Sequence, residues 1–244
     1  MAKIGFLSTY PPTRCGLASF NESLSAALVR LESSDAETRT TAARQLAQFQ
    51  VRCAVRALAA SAQTDGEPLV RSAAVTSLGL INHESVFAHV IMALADEARE
   101  VRAAAARALS RLSFERAEAY VRVAETADAR TLQDVAHACV KAGLAAQAVG
   151  RLASEDRRQA YEAFSLLSLC VNGGEPQLLV DAVESHQNID ARMTCIQLLG
   201  DSRSAEVHDQ LARLAENVAV PERVRRSIRE TVERAPRPAA VEVG

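Results

Sequence analysis

The stretch DGEPLVRSAAVTSLG (residues 65–79) decides the fold, because it returns 31 residues later as DEAREVRAAAARALSRL (residues 96–112). Val70-Arg71 in the first copy and Val101-Arg102 in the second hold the same place. A third copy, DARTLQDVAHACVKAG (residues 128–143), puts Leu132-Gln133 there. Self-similarity at a period near 30 residues marks stacked repeats, in which one supersecondary unit covers the apolar face of the next. Less regular copies follow at Glu155-Asp156-Arg157-Arg158, Asp190-Ala191-Arg192 and Pro221-Glu222-Arg223-Val224-Arg225. One apolar position keeps step along the chain: Leu46, Leu78, Leu109, Val140, Leu167, Leu199 and Val232.

The repeat is helical. Each copy carries apolar residues at helix spacing, and a second amphipathic segment lies between copies. Val86, Val90, Ile91 and Leu94 show it, as do Leu178, Leu179, Ala182 and Val183, and Val207, Leu211, Leu214 and Ala215. Each unit therefore reads as helix A, turn, helix B. The pairs fall at 17–49, 51–81, 84–112, 114–143, 145–170, 175–200 and 204–234. Ser34 or Asp35, and Asp65, Asp96 and Asp128, read as caps that accept from free N–H groups of the following helix. Gly79, Gly143, Gly173-Gly174 and Gly200 read as stops. The pair at 145–170 is short and lacks the Val-Arg dipeptide, so a kink is expected there.

Composition agrees. Of the 244 residues, 48% are hydrophobic and only 4% aromatic, with no Trp. A core of Ala, Leu and Val suits closely packed helices, and Ala and Leu are strong helix formers. The net charge of −2 gives no global attraction to nucleic acid or to an anionic membrane. No apolar run reaches bilayer length, and MAKIGFLSTYPP makes a poor signal peptide. Five scattered cysteines, none in a CxxC pair, read as reduced thiols, which implies a cytoplasmic setting.

The pattern DxxxxVRxxAxxxL, in 65–78 and 96–109, resembles the HEAT-repeat family, and within it the short bacterial HEAT repeats related to phycobilisome lyase subunits. The resemblance extends over about 35–234 and implies an all-α, HEAT-like α-solenoid of about seven antiparallel hairpins, with an extended arm at 1–16 and a flexible tail at 235–244. It also implies structural roles at Asp65, Arg71, Asp96, Arg102, Asp128, Arg192 and Arg225: the Asp caps helix B and the Arg ties one repeat to the next.

Residues 3–28, KIGFLSTYPPTRCGLASFNESLSAAL, resemble the opening of GT-B glycosyltransferases, in which a strand (here 3–8) leads through a loop into a first helix (here about 17–31). The alternating strands and helices of that fold do not follow. Glu222 and Glu230 share the spacing of that family's paired glutamates but lie in one charged helix without a Gly-rich approach. The helix itself carries a stripe of Leu17, Phe20, Leu24, Leu28 and Leu31, suited to cover the first hairpin.

No catalytic motif stands in the chain: HExxH, GxSxG, GxxxxGK[ST] and GxGxxG are absent. His83, His89, His137, His186 and His208 have no metal-ligand spacing. Cys15, next to Arg14, lacks a neighbouring His. No metal, cofactor or catalytic residue is assigned. The expected function is a scaffold that holds a protein or peptide partner on its concave B-helix face, with Arg71, Arg107, Arg111, Arg192 and Arg226 as contact residues. Two alternatives are a fragment or accessory subunit of a nucleotide-sugar-dependent glycosyltransferase and a HEAT-like nucleic-acid binder. The near-neutral charge and missing Trp weigh against the last.

Overall fold

A computed structural model describes residues 16–202 and 204–234. Of the arm expected at 1–16, residues 1–15, with the strand expected at 3–8 and Cys15, lie outside the described residues, and Gly16 begins the first helix; the tail expected at 235–244 also lies outside them. Among the described residues all regular structure is helical. The chain divides into two compact units, one ending at Phe114 and the other starting at Glu115.

The first unit contains α1 (Gly16–Arg30), α2 (Ala36–Leu46), α3 (Arg52–Thr64), α4 (Pro68–Ile81), a 3₁₀ turn (Glu84–Val86) running into α5 (Phe87–Ala93), and α6 (Arg99–Arg111). Consecutive helices pair as hairpins. The B helices α2, α4 and α6 pack in sequence, as do the A helices α1, α3 and α5. The core lies between the two rows. Leu46, Leu58, Leu78, Phe87 and Ile91 are fully buried, each worth about 1.5–3 kcal/mol in transfer from water. At the open side of α1, Leu24 and Ala27 are buried, while Leu28 and Leu31 are half-buried. Phe20 meets Phe49 edge-on at 5.0 Å. The inward stripe of α1 therefore runs through Ala27 and not Leu28, because a small residue lets the helix lie close on α2.

The second unit contains α7 (Arg116–Thr126), α8 (Ala129–Lys141), α9 (Leu144–Arg151), α10 (Arg157–Asn172), α11 (Gln177–Ser185), α12 (Ile189–Gly200), α13 (Ala205–Glu216) and α14 (Glu222–Arg234). Its last hairpins stack as in the first unit, with α12 on α14 and α11 on α13. The first pair differs. Both α7 and α8 pack on α10, and α7 leans on α10 more than on α8. The ion pairs Arg116–Glu162 and Arg158–Glu115 hold the start of α7 to α10, and Tyr120 is buried beneath them. This packing change is shared by α7, α8 and α10, whereas α9 and α10, over the expected 145–170, pack on each other as a hairpin.

Three glycines read as helix stops are contact points between helices. Gly79 lies inside α4, which continues to Ile81 and ends at Asn82 in the left-handed region, φ 49°. A Cβ on Gly79 would stand 2.6 Å from Ala108 Cβ and 2.9 Å from Ala108 Cα. Gly79 is therefore the crossing point of α4 and α6. Gly173 meets Ala136 of α8 in the same way, and Gly200 meets Thr231 of α14. The stop after α10 is made by Gly174 at φ 84°. There Glu175 N–H donates to the Cys170 carbonyl and Gly174 N–H to that of Val171, a Schellman closure.

Two substitutions test these crossings. Gly to Ala inside a helix ordinarily gains about 0.5–1 kcal/mol. Gly150→Ala in α9, where nothing lies within 4 Å of the added methyl, is expected to show that gain in urea denaturation. Gly79→Ala is expected to lose about 1–3 kcal/mol through overpacking. A gain at Gly79 would show that α4 and α6 do not cross there.

Candidate functional site: the B-helix face

The fourth residue of five B helices is an arginine: Arg39, Arg71, Arg102, Arg192 and Arg225. In the first unit these arginines form a ladder. Arg71 Nε and Nη2 donate to Asp96 Oδ2 and Oδ1 at 2.8 and 2.9 Å. Its Nη1 donates to the Asp65 and Gly66 carbonyls at 2.9 and 3.4 Å. Arg39 does the same one repeat earlier, with Nε and Nη2 on Asp65 and Nη1 on the Ser33 and Ser34 carbonyls. Arg102 keeps the two carbonyl bonds, to Asp96 and Glu97 at 2.7 Å each. Each guanidinium thus ties the loop before its own helix, and in two cases also the loop of the following repeat. The Arg71–Asp96 pair is largely enclosed, with the side chains 14% and 12% exposed.

Asp65 and Asp96 are not helix caps. The N-caps of α4 and α6 are Glu67 and Ala98. Each Asp stands two residues upstream and accepts the N–H of the cap residue itself, at 3.0 and 2.8 Å. That placement leaves both carboxylate oxygens open to the arginine fork. The bond from Arg39 is the main cause holding the Asp65 carboxyl below its usual value. For Asp96, burial pushes upward, and Arg71 together with the Ala98 N–H outweighs it. Asp128 does cap its helix, accepting from Thr131 N–H at 3.0 Å. Asp35 and Asp156 cap α2 and α10 likewise.

In the second unit the arginine motif is altered. His186 replaces the upstream Asp, its Nδ1 accepting from Asn188 N–H at 3.1 Å. Arg192 Nε donates to the His186 carbonyl, while its buried Nη1 has no partner. Arg225 pairs with Glu222 of its own helix.

The ladder separates the expected contact residues into two groups. Arg71 and Arg192 are turned into the seam between repeats. Arg71 is fully engaged there and is not offered to a partner; Arg192 is half-buried. Arg107, Arg111 and Arg226 are exposed and lie on a different stripe of the B helices. Counted from the fourth residue, that stripe comprises the positions two before, one after, five after and nine after. In the first unit it is Glu37, Leu69 and Glu100; then Thr40, Ser72 and Ala103; then Arg44, Thr76 and Arg107; then Gln48, Leu80 and Arg111. Leu69 and Leu80 are 58% and 55% exposed. Sequence reasoning missed Arg39, Arg44 and Leu80. The 32-residue step from Arg39 to Arg71 carried the signal, but Thr38 stands where Val70 and Val101 stand in the two clear copies.

In the second unit the stripe of α12, Met193, Gln197 and Asp201, forms one wall of a groove of about 450 Å³. Ser227, Thr231 and Arg234 of α14 form the other. Arg226 lies on the stripe of α14.

Two buried thiols, Cys170 and Cys195, are poorly suited to nucleophilic chemistry. Burial pushes Cys195 up to about 12. Cys170 is pushed up by a hydrogen bond with Cys139 and by burial. Among the described residues no group of three or more His, Cys, Asp or Glu side chains is placed to hold a metal ion, and no helix is long and apolar enough to cross a membrane.

Comparison with known proteins places residues 22–110 in a family profile described as HEAT repeats. No curated protein matches the chain. Among solved structures, the complex of CpcE and CpcF of phycocyanin lyase from Nostoc is 17% identical over 95% of this chain and 98% of that one, with a TM-score of 0.36. Human deoxyhypusine hydroxylase is 20% identical over 87% and 82%, with a TM-score of 0.35. The HEAT-like repeats protein of the archaeon Thermococcus onnurineus is 15% identical over 92% and 97%, with a TM-score of 0.29. None of these three is a glycosyltransferase. The fold class is all-α, of the HEAT-like α-solenoid kind.

The ladder makes a pH prediction. The Asp65 carboxyl is depressed on folding, so its contribution is complete above the unfolded value near 3.9 and is lost as pH falls through the folded one. Arg39→Gln is expected to lower the urea midpoint at neutral pH. In denaturation series the gap to wild type should narrow as pH falls below about 4. A gap that stays constant would show that the Arg39–Asp65 pair contributes nothing.

Proposed function

We propose that this HEAT-like repeat protein acts by holding a protein partner on the outward stripe of its B helices, without chemistry of its own. One observation carries the reading. The ladder consumes the arginines of the seam, yet the neighbouring stripe keeps Arg44, Arg107 and Arg111 exposed beside the exposed Leu80. An exposed leucine among arginines that find no carboxylate on their own chain offers a mixed apolar and charged surface, the make-up of a protein interface. Among the described residues Arg107, Arg111 and Arg226 have no ion-pair partner on their own chain. A stack of rigid helices suits this role, since repetition presents a long, pre-shaped surface and lowers the entropic cost of binding.

Site-specific photo-crosslinking in the native cell tests the reading. A photoreactive residue at Gln48, Thr76 or Arg111 is expected to yield discrete protein adducts. The same residue at Arg56 or Ala60, on the outer face of α3, is expected to yield none. Adducts confined to α3, or adducts nowhere, would contradict it.

A further inference from the structure

The stripe of the first unit also has a register, and the geometry points to the partner that fits it: an extended acidic segment with carboxylates at positions i and i+6 and an apolar side chain at i+3. This inference rests on the partner-binding reading above.

Charge and spacing carry it. Five residues after the ladder position stand Arg44, Thr76 and Arg107; nine after stand Gln48, Leu80 and Arg111. The C-terminal half of the face is therefore cationic at both edges, on α2 and α6, with an exposed leucine on α4 between them. Its only carboxylates, Glu37 and Glu100, lie at the opposite end of the stripe. Packed helices run about 8–10 Å apart, and α4 packs between α2 and α6. A polyproline II segment rises about 3.1 Å per residue and turns once in three residues, so positions i, i+3 and i+6 share one side. Three residues thus span one B helix to the next, and six span α2 to α6. A carboxylate over Arg44 sets an apolar residue against Leu80 and a second carboxylate on Arg107 and Arg111. Two arginines one turn apart on α6 can share that carboxylate, and guanidinium–carboxylate contacts are the stronger kind of charged hydrogen bond.

A single-stranded nucleic acid offers charge at similar intervals but binds through stacking on aromatic side chains. The stripe has Leu80 and Thr76 at its centre and no aromatic residue. A peptide is the occupant it favours.

Fluorescence anisotropy with the full chain tests this. The first probe is an eleven-residue peptide with Glu at positions 3 and 9, Leu at position 6 and Gly or Ser elsewhere. A second has the same composition with Glu at positions 5 and 7, a third has Lys for Glu, and a fourth is an oligothymidylate of similar length. The first peptide is expected to bind at low salt at least tenfold tighter than the second and third, and to weaken as salt rises. Arg107→Glu with Arg111→Glu, both on the exposed face of α6, should weaken it at least tenfold, and Leu80→Ser severalfold. Equal binding of the first two peptides, no binding, or tighter binding of the oligonucleotide would overturn the register. If crosslinks at Thr76 and Arg111 persist in those cases, only the register fails. If they vanish too, the face itself is not the site.

Discussion

The guanidinium fork of the fourth helical residue is the contact on which the first unit depends. It reaches backward to carbonyls of its own loop and, at Arg39 and Arg71, forward to the carboxylate of the following loop. A hydrophobic interface alone tolerates sliding, because apolar contacts are not directional. A bidentate pair is directional. It fixes the height of α2 against α4, and of α4 against α6, so that residues five and nine places further on fall into rows. The exposed stripe is orderly because the seam beneath it is locked. Small residues complete the arrangement: Gly79 against Ala108 lets α4 and α6 approach closely enough for the fork to reach.

Much of this was legible in the sequence. Period and helix order follow from apolar spacing, and among the described residues the helices fall near the intervals that spacing gives. Three of the features that were not legible depend on offsets of one or two residues. Asp65 and Asp96 read as caps because an Asp before a helix usually is one, yet they sit two residues too early and serve the next-door arginine. Gly79 reads as a stop because it closes the copy, but the helix runs two residues further and uses the glycine for contact. Arg39 escaped notice because Thr38 breaks the Val-Arg signature. The lean of α7 on α10 is a tertiary choice with no local mark, and only the ion pairs Arg116–Glu162 and Arg158–Glu115 record it.

The candidate site was legible only in outline. Arg107 and Arg111 follow from helix phase, since the stripe they share in α6 holds only Glu100 and the small Ala103 besides. Arg71 and Arg192 were chosen by the same count of charges, but position four of a B helix faces the seam. Whether an arginine there meets a carboxylate is decided by the following loop: Asp96, 25 residues on, engages Arg71, whereas Arg192 bonds the His186 carbonyl of the loop before its own helix. A sequence reports the presence of charge, and packing decides whether it is already spent. The binding face is therefore made of the residues the ladder leaves over.

The measurement closest to the central claim is a double-mutant cycle on the ladder, with Arg71→Gln, Asp96→Asn and both together, followed by urea unfolding at neutral pH. If the fork couples consecutive repeats, the two substitutions are strongly non-additive, with an interaction energy of about 1 kcal/mol or more. Additivity within about 0.3 kcal/mol would mean that Arg71 and Asp96 act independently and that the register of the B helices has another source.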